Sequence, residues 1–262
     1  MLYEPIEIEV SAKYLEEVFR EIKGDVCLIG GWATYHTVDK NFENINGRKY
    51  IGSRDIDIGF HIDKGWLKEQ LKRSDFSATI ELIEDMGFRP VSFRFVKDFD
   101  SETGRELTAE ESARLPLFQI FQLYVDPVVD YIHPEIKQVL GFVPLDEPLL
   151  SLVFVDGLFT TTKLFGMSVL LPQPHVLLAM KLNSVVSREK EHKRIKDIAD
   201  IYALLWFSDM KITEIKANLL SIYPEEKARK TVRGFIPEEI TRVSAAIGIT
   251  TREISRVLAE LR

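Results

Sequence analysis

Residues 55–62, DIDIGFHI, place a carboxylate and an apolar side chain at alternate positions. Successive side chains of a β-strand point to opposite faces. The run therefore predicts a strand whose Ile56 and Ile58 enter a core while Asp55 and Asp57 stand together on the other face. Two neighbouring carboxylates repel unless a cation sits with them. Hard oxygen donors of this kind suit Mg²⁺, which also takes phosphate oxygens. A pair of such ions can hold the attacking and leaving oxygens of a phosphoryl or nucleotidyl transfer. Taken alone, Asp-x-Asp is better read as a solvated strand face, so its surroundings decide.

Upstream, SAKYLEEVFREIK (11–23) has helical spacing and stops at Gly24. DVCLIG (25–30) reads as a short buried strand and GWATYHTV (31–38) as a helix. Residues 39–54 are polar and predict a long connection. Downstream, residues 64–86 read as helical and FRPVSFRFV (88–96) as a strand. DFDSETGRELTAEE (98–111) reads as a polar excursion. Residues 118–132 are strand material with a break, a bulge or an edge at Pro127. TTKLFG and MSVLL (161–171) suggest short strands or a hairpin. After Pro172–Pro174 the pattern becomes helical to the end.

Gly30-Gly31 falls where the strand should become a helix. Glycine lets a backbone approach a ligand closely, and the unpaired N–H groups of a helix start favour anions. Together, IGGWATYHT and GSRDIDIGF resemble the nucleotidyltransferase superfamily with the polymerase-beta-like fold. The Gly-Gly-Trp-Ala form and the Ser-Arg before Asp55 resemble its branch of abortive-infection toxins and antibiotic nucleotidyltransferases. Gly31 and Asp55 stand 24 positions apart (55 − 31), about twice the spacer usual in that family. The segment DKNFENINGRKYIG (39–52) is therefore expected to be an extended loop.

The resemblance implies an α/β (α+β) nucleotidyltransferase-like mixed sheet with flanking helices over residues 1–172. A helical domain over 173–262 is expected to close the nucleotide cleft. It also implies a third carboxylate on a neighbouring strand, serving as metal ligand and base. Asp126 and Asp130 share strand parity, and both stay open. Asp130 is preferred because Val128-Val129 and Tyr131-Ile132 flank it, whereas Asp126 precedes a proline. The implied set is Asp55, Asp57 and Asp130 on two Mg²⁺, with Gly30, Gly31, Ser53, Arg54 and Lys181 on the triphosphate.

Lys181 lies in an apolar helical stretch within LPQPHVLLAMKLNSVVSREKEHKRIKDIADIYALL (171–205). A lysine there must reach water or a partner. The stretch resembles the family's second-domain pattern, a lysine helix followed by Lys-Asp-x-x-Asp. On that resemblance Lys181 would meet phosphates, while Asp197 and Asp200 would support the site or order the helices. For the other charges the simpler reading is a solvated helix face with i,i+4 pairs, Lys193 with Asp197 and Lys196 with Asp200.

The expected reaction transfers a nucleoside monophosphate from an NTP to an acceptor hydroxyl of RNA, protein or a small molecule. A toxin role with an antitoxin partner follows from the toxin branch. Two other classes are carried alongside. One is an idle nucleotide-binding module. The other is a DNA-binding regulator using ITRVSAAIGITTREISRVLAELR (240–262), whose spacing fits a helix-turn-helix but more simply a packed hairpin. A net charge of −7 argues against a broadly basic nucleic-acid surface. One cysteine, Cys27, excludes a disulfide framework and a cysteine zinc site. No apolar run is long enough to span a bilayer and no signal peptide is visible, so no membrane partner and a cytoplasmic location are expected.

Overall fold

A computed structural model describes residues 2–262. Its elements run α1 (Pro5–Glu21), β1 (Cys27–Ile29), α2 (Gly30–Asn46), β2 (Asp55–Phe60), α3 (Lys68–Lys72), α4 (Asp75–Asp85), β3 (Arg89–Val91) and β4 (Arg94–Asp100). Next come α5 (Ala109–Arg114), β5 (Ile120–Val129), α6 (Ile136–Leu140), β6 (Leu145–Asp146), α7 (Leu150–Phe154), β7 (Phe159–Leu164) and β8 (Met167–Pro172). Helices follow: α8 (Pro174–Ser184), α9 (Glu191–Phe207), α10 (Ile212–Ile222), α11 (Glu225–Arg233), α12 (Pro237–Ile247) and α13 (Thr251–Leu258). The fold is α/β, with a mixed sheet and a helical C-terminal region.

The chain forms two compact units. The sheet unit comprises Tyr3–Gly31 and Gly52–Leu171. Its strand order is β3-β4-β5-β2-β1-β8-β7, with β6 also on β5. β2 runs parallel to β5 and antiparallel to β1, and β4 is antiparallel to β5. One sheet face is apolar: Ile56, Ile58 and Phe60 of β2, and Phe121, Leu123 and Val125 of β5, are buried. α1 covers part of it. Pro5 begins that helix and the Glu7 carboxylate accepts the Glu4 N–H. Its buried Val10, Tyr14, Leu15, Val18 and Phe19 recur at the spacing of a single helical stripe. Tyr14 meets Phe88 and Phe99 edge-on at 5.6 and 5.2 Å, and Phe76 of α4 packs on Phe60 at 5.0 Å. Truncating Phe19 to Ala in this layer is expected to cost about 3–5 kcal/mol.

β5 does not break at Pro127. The strand continues from Ile120 to Val129, with Pro127 opposite Ile58 of β2. The Glu147 N–H donates to the Val129 carbonyl, so Val129, and Pro127 two residues before it, turn their backbone groups away from β2. On that side β4 pairs only as far as Val125 and β6 starts at Val128. The missing proline N–H falls in the gap between two partner strands, where no ladder bond is lost.

The helical unit comprises Trp32–Ile51 and Pro172–Arg262. The expected loop is confined to residues 47–54, because α2 continues to Asn46, and as far as Ile51 the spacer belongs to this unit. Phe42 meets Phe207 at 4.9 Å and Tyr50 at 5.2 Å, and the Asn41 amide donates to the Phe207 carbonyl at 2.9 Å. Arg48 then donates to the Ile247 carbonyl at the end of α12. Gly248 follows with φ +59, and a Cβ there would stand 1.9 Å from the Arg48 guanidinium. α13 packs on α9: the Tyr202 hydroxyl donates to Glu253 and the Arg256 guanidinium lies 4.7 Å from the Trp206 ring centre. Among the described residues no helix is long and apolar enough to cross a membrane.

Candidate active site

Parallel pairing of β2 with β5 sets Asp57 opposite Asp126 and Asp55 opposite Tyr124. Partners in register share a face, so Asp55, Asp57 and Asp126 occupy one patch of the sheet. It lies on the face opposite α1. Continuing the β4–β5 register one step past Phe95 and Val125 brings Arg94 beside Asp126. The Arg94 Nε donates to Asp126 Oδ1 at 2.9 Å, and a terminal nitrogen donates to Oδ2. The guanidinium lies over Tyr124, 4.2 Å from the ring centre, and 5.1 Å from that of Phe93.

Asp126 is 3% exposed. Burial pushes its carboxyl up to about 7, the charge of Asp57 adds to the rise, and Arg94 opposes it. Burial also disfavours the Arg94 charge, but Asp126, then Asp55 and Asp57, outweigh it and hold the guanidinium above its ordinary value. Asp55, Asp57, Asp126 and Arg94 thus share one patch and shift one another's proton affinity.

Gly30 is required at the β1–α2 junction for two reasons. Its φ is +67, and a Cβ would stand 2.0 Å from Asp57 Oδ2. The backbone of the first glycine therefore abuts the Asp57 carboxylate. Gly31 follows in the first turn of α2, and Ser53 is buried just ahead of β2.

Two expected site residues of the sheet unit, Asp130 and Arg54, stand away from this patch. Asp130 does not lie in a central strand, because β5 ends at Val129. It stands four residues beyond Asp126, about 13 Å along a strand. Its Oδ1 accepts the Ile62 N–H at 2.8 Å and its Oδ2 meets His61 Nδ1 at 2.5 Å. The preference for Asp130 rested on reading Pro127 as a break. Once that proline is accommodated within β5, Asp126 is the carboxylate in register with Asp57. Arg54 precedes β2 and turns to the opposite face, pairing with Glu7 at 3.3 Å over the Phe121 ring at 5.1 Å. Arg94, which no motif marks, is the guanidinium brought to the carboxylates.

Lys181 belongs to the helical unit and is 6% exposed. Its Nζ is engaged by Asp197 at 2.9 Å and Asp200 at 2.8 Å. Arg188 also pairs with Asp197 and Lys196 with Asp200, at 2.6 and 2.5 Å. Ser184 and Tyr50 add hydroxyl donors at 3.0 and 2.9 Å. Burial works against the Lys181 charge, but Asp197 and Asp200 outweigh it and raise its proton affinity. The expected Lys196–Asp200 pair is present, buried and not on a solvated face.

Hard carboxylate oxygens on one face are the donor set Mg²⁺ prefers. As the side chains stand, however, no three His, Cys, Asp or Glu among the described residues converge on a single ion. Both Asp126 oxygens are turned onto Arg94. Asp55, Asp57 and Asp126 fit a divalent ion in donor type and in face, with Arg94 standing in the cation's place.

No protein-family model matches the chain, and no curated protein matches it. Among solved structures, it is similar to an antigenic nucleotidyltransferase-like protein from Paracoccidioides brasiliensis. The two are 18% identical, the match covers 84% of this chain and 89% of the other, and the TM-score is 0.38.

Proposed function

We propose that the protein is a divalent-metal-dependent nucleotidyltransferase, moving a nucleoside monophosphate from an NTP to an acceptor hydroxyl with release of pyrophosphate. The observation that carries this reading is the register that puts Asp57 beside Asp126, with Asp55 on the same face. Asp55, Asp57 and Asp126 would hold Mg²⁺, two ions by the family resemblance, which supplies charge neutralisation for phosphoryl oxygens. Asp126, beside Asp57 on the neighbouring strand, is the carboxylate assigned to take the acceptor's proton. Gly30 and Gly31 leave room for phosphate oxygens at the start of α2. Ser53 lies close in sequence to Asp55, and its contact with the triphosphate rests on the resemblance, as does any for Lys181.

The acceptor class is RNA, protein or a small molecule. A toxin role with an antitoxin partner rests on the Gly-Gly-Trp-Ala and Ser-Arg resemblance alone. The test is transfer from each of the four α-³²P NTPs with Mg²⁺, using total RNA and cell lysate as acceptors. Label moved by the wild type and not by the Asp55→Ala/Asp57→Ala variant is the expected result. Absence of both label transfer and Mg²⁺-dependent NTP binding would remove the reading.

A further inference from the structure

Arg94 is held more firmly than a surface arginine. Its guanidinium makes a two-point contact with Asp126, and its plane lies on Tyr124. The Tyr124 hydroxyl donates to Gln122 at 2.6 Å, and the Gln122 amide donates to Asp98 at 2.9 Å. Asp98 also accepts from Arg89 at 2.8 Å. The shelf under Arg94 is thus fixed by side chains of β3, β4 and β5.

A carboxylate with both oxygens on a guanidinium has half of its acceptor positions taken, so Arg94 and Mg²⁺ compete for Asp126 by charge and by space. Arginine's fork fits a carboxylate and a phosphate equally well. A divalent ion arriving alone repels the Arg94 charge and brings it no new anion. An ion arriving with a triphosphate brings one.

We propose that Arg94 is the positioning residue of this site: it masks Asp126 until metal and nucleotide arrive together, then moves its two-point grip from Asp126 to triphosphate oxygens. This rests on the function proposed above. It makes metal and nucleotide bind as a coupled pair, each improving the other.

The test is Mn²⁺ titration followed by electron paramagnetic resonance at pH 8, with and without α,β-methylene NTPs. It compares wild type, Arg94→Met and Arg94→Lys, with Asp57→Asn as the zero reference. Thermal melts establish that each variant is folded, and Arg94→Lys serves if Arg94→Met is not. Arg94→Met should bind Mn²⁺ alone about tenfold more tightly and the analogue about tenfold more weakly, so the coupling shrinks. Arg94→Lys, a point charge without the fork, should fall between. Wild-type binding of both ligands with no opposite shift in the variants would overturn the role of Arg94 and leave the proposed function standing. Wild-type protein that binds neither Mn²⁺ nor any analogue would overturn both.

Discussion

Both units of the molecule set aspartates beside cations, and the two arrangements differ in their burial. In the helical unit Lys181, Lys196 and Arg188 meet Asp197 and Asp200, with Ser184 and Tyr50 filling remaining positions. Lys181, Lys196, Asp197 and Asp200 are all buried. In the sheet unit Asp55, Asp57 and Asp126 share one face, with Arg94 drawn onto Asp126, and Asp55 and Asp57 are half-buried. A buried network orders helices. Half-buried carboxylates on one face are hard oxygen donors of the kind a divalent cation takes.

The largest expected effect breaks the buried helical set. Asp200→Ala leaves Lys196 without its carboxylate and Lys181 with Asp197 alone, and urea unfolding should show a loss of about 3–5 kcal/mol. Asp57→Asn keeps the shape of a half-buried side chain and should cost less than Asp200→Ala at pH 8 while abolishing Mn²⁺ binding. Equal destabilisation by both substitutions would erase the contrast between the two regions.

Next in size is Gly30→Ala. The positive φ and the approach to Asp57 predict a loss of about 1–3 kcal/mol, together with weaker Mn²⁺ binding. An alanine variant as stable as the wild type would show that the backbone there is not confined by Asp57.

A smaller effect concerns pH. The Asp126 carboxyl holds its proton up to about 7 in the folded protein. Between the ordinary carboxylate range and that value, the folded state binds this proton more tightly than the unfolded chain. Its contribution to stability is therefore present at acid pH and lost as pH rises through about 7. A divalent ion competes with that proton, so Mg²⁺ should raise the melting temperature more at pH 8 than at pH 6. The helical network, whose Asp197 is held below the ordinary range mainly by Lys181 and Arg188 against the effect of burial, should show no Mg²⁺ response. The opposite pH order would contradict the assigned shift.

The smallest effect is that of His61→Asn. It removes one partner of Asp130, and unfolding should report about 1 kcal/mol, with Mn²⁺ binding retained.

The α/β class, the helical C-terminal region, β1, the Asp55–Asp57 strand and the Gly30 junction were all readable, because period-two alternation and glycine placement are local signals. The failures share a cause. Pro127 was read by its usual effect on a ladder, but its missing N–H happens to face the gap between β4 and β6. That gap is a property of strand pairing, invisible along the chain, and with it went the choice between Asp126 and Asp130. Arg94 and Arg54 lie on opposite faces of the sheet, and only register tells which face each occupies. The segment after Val38 was read as loop because Asp39, Lys40, Asn41, Glu43 and Asn44 are polar. Phe42 alone carries its buried side, against Phe207.

The most direct test of the site places Asp126→Asn against Asp130→Asn in the α-³²P transfer reaction, using whichever NTP and acceptor the wild type labels. The register of β2 and β5 predicts that Asp126→Asn stops transfer and Asp130→Asn keeps it. Transfer that survives Asp126→Asn and fails with Asp130→Asn would contradict the account.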